Sequence, residues 1–174
     1  VTPIETFTGA AEALGGRVKT LHPKVHGGLL ADRRSADRLE QLAVHGYEPI
    51  DLVVCNLYPF EATLRSGAAT AEIIEQIDIG GPTLLRAAAK NADGGVAVVA
   101  SPADYPALLD ELRASGGVSA PLRRKLAARA FRLVADYDAA IAAWTTSWAG
   151  EPQPLFPERS GAFVRGPELR YGEN

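Results

Sequence analysis

Residues 78–100 read DIGGPTLLRAAAKNADGGVAVVA: a glycine-proline turn, a helix and an apolar strand in one run. Gly80-Gly81-Pro82 opens a segment of strong helix formers, with the proline expected at the first helical position, where its missing N–H is least needed. Asn91 serves as the cap, and Asp93-Gly94-Gly95 breaks the helix. Gly95 to Ala100 (GVAVVA) then has the uninterrupted, β-branched character of a buried parallel strand. Ile50 to Leu57 (IDLVVCNL) has the same character, so the two runs and the helix between them predict a βαβ unit. Tyr58-Pro59-Phe60 ends the first strand, which places Asn56 and Tyr58 at its carboxyl end, the side on which open α/β sheets hold their ligands.

Helices are expected on either side of this unit. One runs from about Ser35 to His45 and is ended by Gly46, and a brief one covers Thr70 to Ile77. Ser101-Pro102-Ala103-Asp104 supplies a cap, a proline and an acid for a helix that Gly116-Gly117 closes. Ser119 caps a longer helix in which Leu122, Leu126, Ala130, Val134, Tyr137, Ile141, Trp144 and Trp148 form one apolar stripe, read as core or dimer contact. Phe7 to Leu14 reads as loop with a short helical turn, and GRVKTLHPKVHGG (16–28) as a functional loop. Prolines crowd Gly150 to Pro167, which marks a linker. Two parallel strands are too few for a sheet covered on both faces, so further strands are expected before Val1. The absence of methionine and the start at Val1-Thr2-Pro3 fit the expectation of a fragment.

A chain of 174 residues suits one domain with a proper core. The net charge of −3 and the pI of 5.6 come without any basic stripe, which argues against a nucleic-acid surface or a polybasic membrane anchor and for small-molecule partners. Cys55 is the only cysteine, no apolar run approaches a membrane span and no signal peptide is visible, so a cytoplasmic setting is expected. Arginine outnumbers lysine 14 to 4, and Lys19, Lys24 and Lys90 stand in Gly-, Pro- or Ala-rich contexts. An ammonium shifts its pKa readily and a guanidinium does not, which draws attention to these three.

Asp78, the N–H groups of a glycine turn and Lys90 make a parts list for proton transfer on a polar substrate, with a plain Asn-capped surface helix as the alternative. His22 and His26 have no acid or cysteine at metal-ligand spacing, so no metal site is expected. There is no nucleophile elbow and no Walker or dinucleotide glycine pattern.

GRVKTLHP (16–23), CNLYPF (55–60), QIDIGGP (76–82) with RAAAKN (86–91), and LRYGEN (169–174) occur in an order and at spacings that resemble the bifunctional purine-biosynthesis enzymes joining AICAR transformylase to IMP cyclohydrolase. The likeness runs from Thr8-Gly9 to Arg170-Tyr171-Gly172. It implies an α/β, methylglyoxal-synthase-like three-layer fold with a parallel sheet. Residues 1–149 would be the cyclohydrolase domain, incomplete at its amino end, 150–167 the linker, and 168–174 the first residues of the transformylase domain. The implied reaction closes formyl-AICAR to IMP with loss of water, without metal or coenzyme; formyl-tetrahydrofolate is the co-substrate of the other domain. By the resemblance Lys19, Tyr58, Asp78 and Lys90 fall on active-site positions. Asp78 is the candidate base, the N–H groups of Ile79 and Gly80 with Lys19 are the oxyanion donors, and Lys90 is a proton donor. Arg17, Thr20 and Asn56 hold substrate, and Arg170 and Tyr171 contact AICAR on the transformylase side. A continuous helix would keep Lys90 well away from Asp78. The family forms homodimers. A non-catalytic module that binds a phosphorylated effector is the competing expectation, and it would need Arg17, Lys19 and the glycine turn but not Asp78 beside Tyr58.

Overall fold

The two apolar runs pair as expected. β1 (Leu52–Val54) and β2 (Ala97–Val99) lie parallel, with Leu52 opposite Ala97, Val53 opposite Val98 and Val54 opposite Val99. This is a computed structural model, and it describes residues 1–150. Around the strands run α1 (Ile4–Thr8), α2 (Pro23–Leu30), α3 (Ala36–Val44), α4 (Phe60–Arg65), α5 (Thr70–Glu75), α6 (Gly80–Lys90), α7 (Tyr105–Ser115) and α8 (Ala120–Trp148). Short 3-10 turns at Leu14–Gly16 and Pro102–Asp104 complete the order.

β2 is fully buried, whereas Val54 of β1 stays half exposed, so only one of the two strands behaves as a strand covered on both faces. The main core joins Val53, Val96 and Val98 to Leu85 and Ala88 of α6, Leu29 of α2, and Leu126, Ala130 and Val134 of α8. A second, smaller core gathers Phe60 of α4, Ile73 of α5 and Tyr137 of α8, with Ile77 and Trp144 packed against it. The apolar stripe of α8 thus serves both cores, and its last member, Trp148, stacks on Trp144 at 5.4 Å while remaining exposed.

Two segments differ from the reading of the sequence. Half of the supposed loop at 16–28 is helix α2: Pro23 takes the first position, and the His22 ring nitrogen Nδ1 accepts the Lys24 N–H at 3.1 Å. The glycine pair that suggested a loop serves close packing, since a Cβ on Gly28 would collide with the Glu48 carbonyl. In α6, Pro82 is the third residue and not the first. Asp78 caps from outside by accepting the Gly81 N–H at 2.7 Å, so the chain turns helical two residues before the proline.

At the other end of α6, buried Asn91 donates from Nδ2 to the carbonyls of Leu29 (2.8 Å) and Ala31 (3.0 Å). These bonds tie the end of α2 to the end of α6.

Candidate active site

Asp78 occupies the four-residue link, Gln76 to Ile79, between α5 and α6, just beyond the carboxyl end of β1. Oδ1 takes the Gly81 N–H, and Oδ2 takes the Tyr58 N–H at 3.4 Å. The carboxylate therefore bridges a helix start and a strand end. Gly81 permits this closeness, because a Cβ there would lie 2.8 Å from the Leu57 side chain and would also strike Asp78. Among the described residues, the N–H groups of Ile79 and Gly80 have no acceptor, so they are open to a ligand at the positive end of α6. The Thr20 hydroxyl sits against Gly80, 2.8 Å from where a Cβ would stand.

The structure thus assembles Thr20, Tyr58, Asp78, Ile79 and Gly80. Tyr58 contributes its backbone N–H, and its side chain is 55% exposed. Asn56 is exposed at the same strand end. Arg17 pairs with Glu75 at the end of α5, which draws the 16–22 loop toward the Asp78 turn. The Lys19 ammonium points elsewhere: it pairs with Glu12 at 2.8 Å and Glu5 at 3.5 Å. The hydrogen bond that Lys19 donates to Glu12, reinforced by the charges of Glu12 and Glu5, raises the Lys19 pKa and keeps the group protonated, as suits a charge-stabilising donor and not a base. A cavity of about 150 Å³ opens on this side, lined by Ile4, Glu5, Glu12, Lys19 and His22 among others.

Lys90 is exposed at the far end of α6, about 15 Å from Gly80 at the usual helical rise, so the two are not brought together. Arg170 and Tyr171, with the linker at 150–167 and the segment 168–174, lie outside the described residues. Among the described residues no group of three His, Cys, Asp or Glu side chains is placed to hold a metal ion. Burial, with the Asp78 charge, pushes the Cys55 thiol above its usual pKa, away from thiolate reactivity. His26, next to this region, has its pKa lowered by burial and opposed by the Thr20 backbone.

One residue of the site escaped the sequence reading. The Tyr137 hydroxyl accepts the Asp78 N–H at 2.8 Å and donates to the Gln76 carbonyl at 2.6 Å, and burial raises its pKa. As a member of an apolar stripe it looked like core. The signal available was its hydroxyl, which a buried tyrosine must satisfy somewhere.

Comparison with known proteins gives the family and the fold. The model of the AICARFT/IMPCHase bienzyme family matches residues 88–174, and that of the MGS-like domain matches residues 1–83. The chain has the MGS-like α/β fold. It is 53% identical over its whole length to a bifunctional purine biosynthesis protein PurH from Myxococcus xanthus, covering 33% of that protein. It is 51% identical over its whole length to the protein of the same name from Bradyrhizobium diazoefficiens, covering 32% of it. The chain therefore spans about a third of the length of these curated relatives. A crystal structure of ForH is similar at a TM-score of 0.71 and 37% identity, over 83% of this chain and 74% of that one.

Proposed function

The chain belongs to the AICARFT/IMPCHase bienzyme family, and from that premise we propose that residues 1–149 carry the IMP cyclohydrolase step of de novo purine biosynthesis. The carboxamide nitrogen of formyl-AICAR attacks the formyl carbon, a C–N bond closes the second ring, and the formyl oxygen leaves as water. The observation that carries this reading is the Asp78 carboxylate, held by N–H groups of a strand end and a helix start beside two open backbone donors.

Asp78 takes one proton of the carboxamide as its nitrogen attacks and returns it to the departing oxygen, which gains its second proton as the formylamino nitrogen loses its own to form the ring C=N bond; a carboxylate has lone pairs to spare beyond the two N–H bonds already made. The N–H groups of Ile79 and Gly80 receive the developing oxyanion. Lys19 adds positive charge once substrate draws its ammonium from Glu12 and Glu5. Thr20, Arg17 and Asn56 orient the nucleotide, and Tyr58 contributes a hydroxyl at the strand end. Because both reacting groups belong to one molecule, most of the acceleration comes from holding them together in a reactive geometry. Lys90, a helix length away, has no step in this mechanism.

The wider proposal follows the relatives. Residues 150–167 link to a transformylase domain that starts at 168–174, where Arg170 and Tyr171 contact AICAR. Formyl-tetrahydrofolate is the co-substrate there, and the cyclisation itself uses no coenzyme. The protein works as a cytoplasmic homodimer on small-molecule nucleotides, and among the described residues no helix is long and apolar enough to cross a membrane. The relatives carry the name of the enzyme, which favours it over the effector-binding module. The test is to incubate the purified chain with formyl-AICAR and follow the absorbance of IMP. Formation of IMP that Asp78→Asn abolishes is the expected result; binding of formyl-AICAR without conversion would favour the regulatory module.

A further inference from the structure

We propose that Tyr137 is a positioning residue for the Asp78 carboxylate, acting through the backbone of the turn that carries it. The proposal rests on the cyclohydrolase reading for its catalytic consequence, but its geometry stands apart from that reading. Only Gln76, Ile77, Asp78 and the cap residue Ile79 separate the end of α5 from Gly80, where α6 opens. The Tyr137 hydroxyl bonds this link twice: it donates to the Gln76 carbonyl and accepts the Asp78 N–H, at 2.6 and 2.8 Å. One oxygen therefore satisfies an orphan carbonyl at the end of α5 and an orphan donor ahead of α6.

The tyrosine is itself firmly held. It is 9% exposed, its ring meets Phe60 edge-on at 6.1 Å, and Phe60 in turn meets Trp144 at 5.9 Å. Its hydroxyl is thus delivered by a packed aromatic cluster from a helix remote in sequence. Behind Asp78 stands the α8 hydroxyl; in front, the carboxylate reaches the N–H groups of Tyr58 and Gly81. A carboxylate used as a base must meet its proton within a narrow range of distance and angle, and small displacements cost heavily. Fixing the backbone at Asp78 N fixes where Oδ1 and Oδ2 can go.

The experiment compares Tyr137→Phe, Asp78→Asn and the double variant in the full chain, by cyclisation kinetics, thermal unfolding and amide hydrogen exchange at Asp78. Phenylalanine keeps the ring and its packing and removes only the hydroxyl. The expected result is a kcat about tenfold or more below that of the parent with KM within about twofold, since misplacement of a base acts on the transition state. Exchange at the Asp78 amide should quicken about tenfold, the loss of one hydrogen bond. Tyr137→Phe should cost nothing further on the Asp78→Asn background. An unchanged Asp78 amide would overturn the proposal whatever the kinetics. A lower unfolding midpoint with unaltered kcat would show a merely structural hydroxyl and overturn it too. Full turnover by Asp78→Asn would instead sink the assignment of the base, and with it the catalytic meaning of the turn, even if the amide exchange behaves as expected.

Discussion

Lys19 and Asp78 are joined through the contact of Thr20 with Gly80, yet their charged ends have different partners: glutamates for one, backbone N–H groups for the other. In the proposed mechanism the carboxylate takes the proton, and the ammonium exchanges partners to meet substrate. Both are needed if the proposed mechanism holds, so Asp78→Asn and Lys19→Gln should each reduce cyclisation by at least about a hundredfold while leaving the far-ultraviolet circular dichroism unchanged. Near-normal turnover by either purified variant would remove that residue from the mechanism. Tyr58→Phe should cost less than Lys19→Gln, because the contact Tyr58 makes with Asp78 is through its N–H, which phenylalanine keeps. Steady-state kinetics showing the reverse order would make the Tyr58 hydroxyl the principal proton carrier. At this scale the sequence showed what lies near in the chain: an acid at a glycine turn and a tyrosine at a strand end. It did not show Tyr137, whose partner is 59 residues away and whose spacing along α8 is that of any core residue.

Caps and breaks were the most legible features of the elements. Ser35, Ser101 and Ser119 each accept an N–H at the start of the helix or turn they were expected to open, and Gly116 closes α7 in the left-handed conformation. These signals act within a turn of chain, so tertiary contacts seldom overrule them. Helix α2 was hidden because Gly27 and Gly28, poor helix formers, are present for close contact with Tyr47, Glu48 and Ile50, none of which local propensity can reveal. The two-residue offset of Pro82 has a similar origin in the Asp78 cap. Asn91 is the element-scale counterpart of Tyr137, one side chain serving two carbonyls of another helix. Asn91→Ala should destabilise the fold by about 1–3 kcal/mol, since it leaves two buried acceptors unpaired. Urea titration measures this, and a midpoint equal to that of the parent would show that these carbonyls find water instead.

Across the whole molecule, the parallel pairing of the strands and the stripe of α8 could be read from periodicity, whereas the split into two cores could not, because it depends on where Phe60 and Ile73 arrive in space. Among the described residues, helix α8 is the one element with buried residues in both: Leu126, Ala130 and Val134 in the larger, Tyr137 in the smaller. Its 29 residues make a single rod about 44 Å long. A rod fixes angle as well as distance. Inserting one alanine between Val134 and Tyr137 would advance everything beyond it by about 100° around the axis. The larger core would keep its contacts and the molecule would still fold, but the Tyr137 hydroxyl would swing off the turn. Such a variant should melt cooperatively and retain β1–β2 pairing while losing most cyclisation; a second insertion scheme that restores the phase, about seven residues for two turns, should not recover it, because the hydroxyl is then about 10 Å too far along the axis. The proposed active site is thereby geared to a helix whose first half is seated in the larger core, and the reading frame of that helix becomes a catalytic parameter.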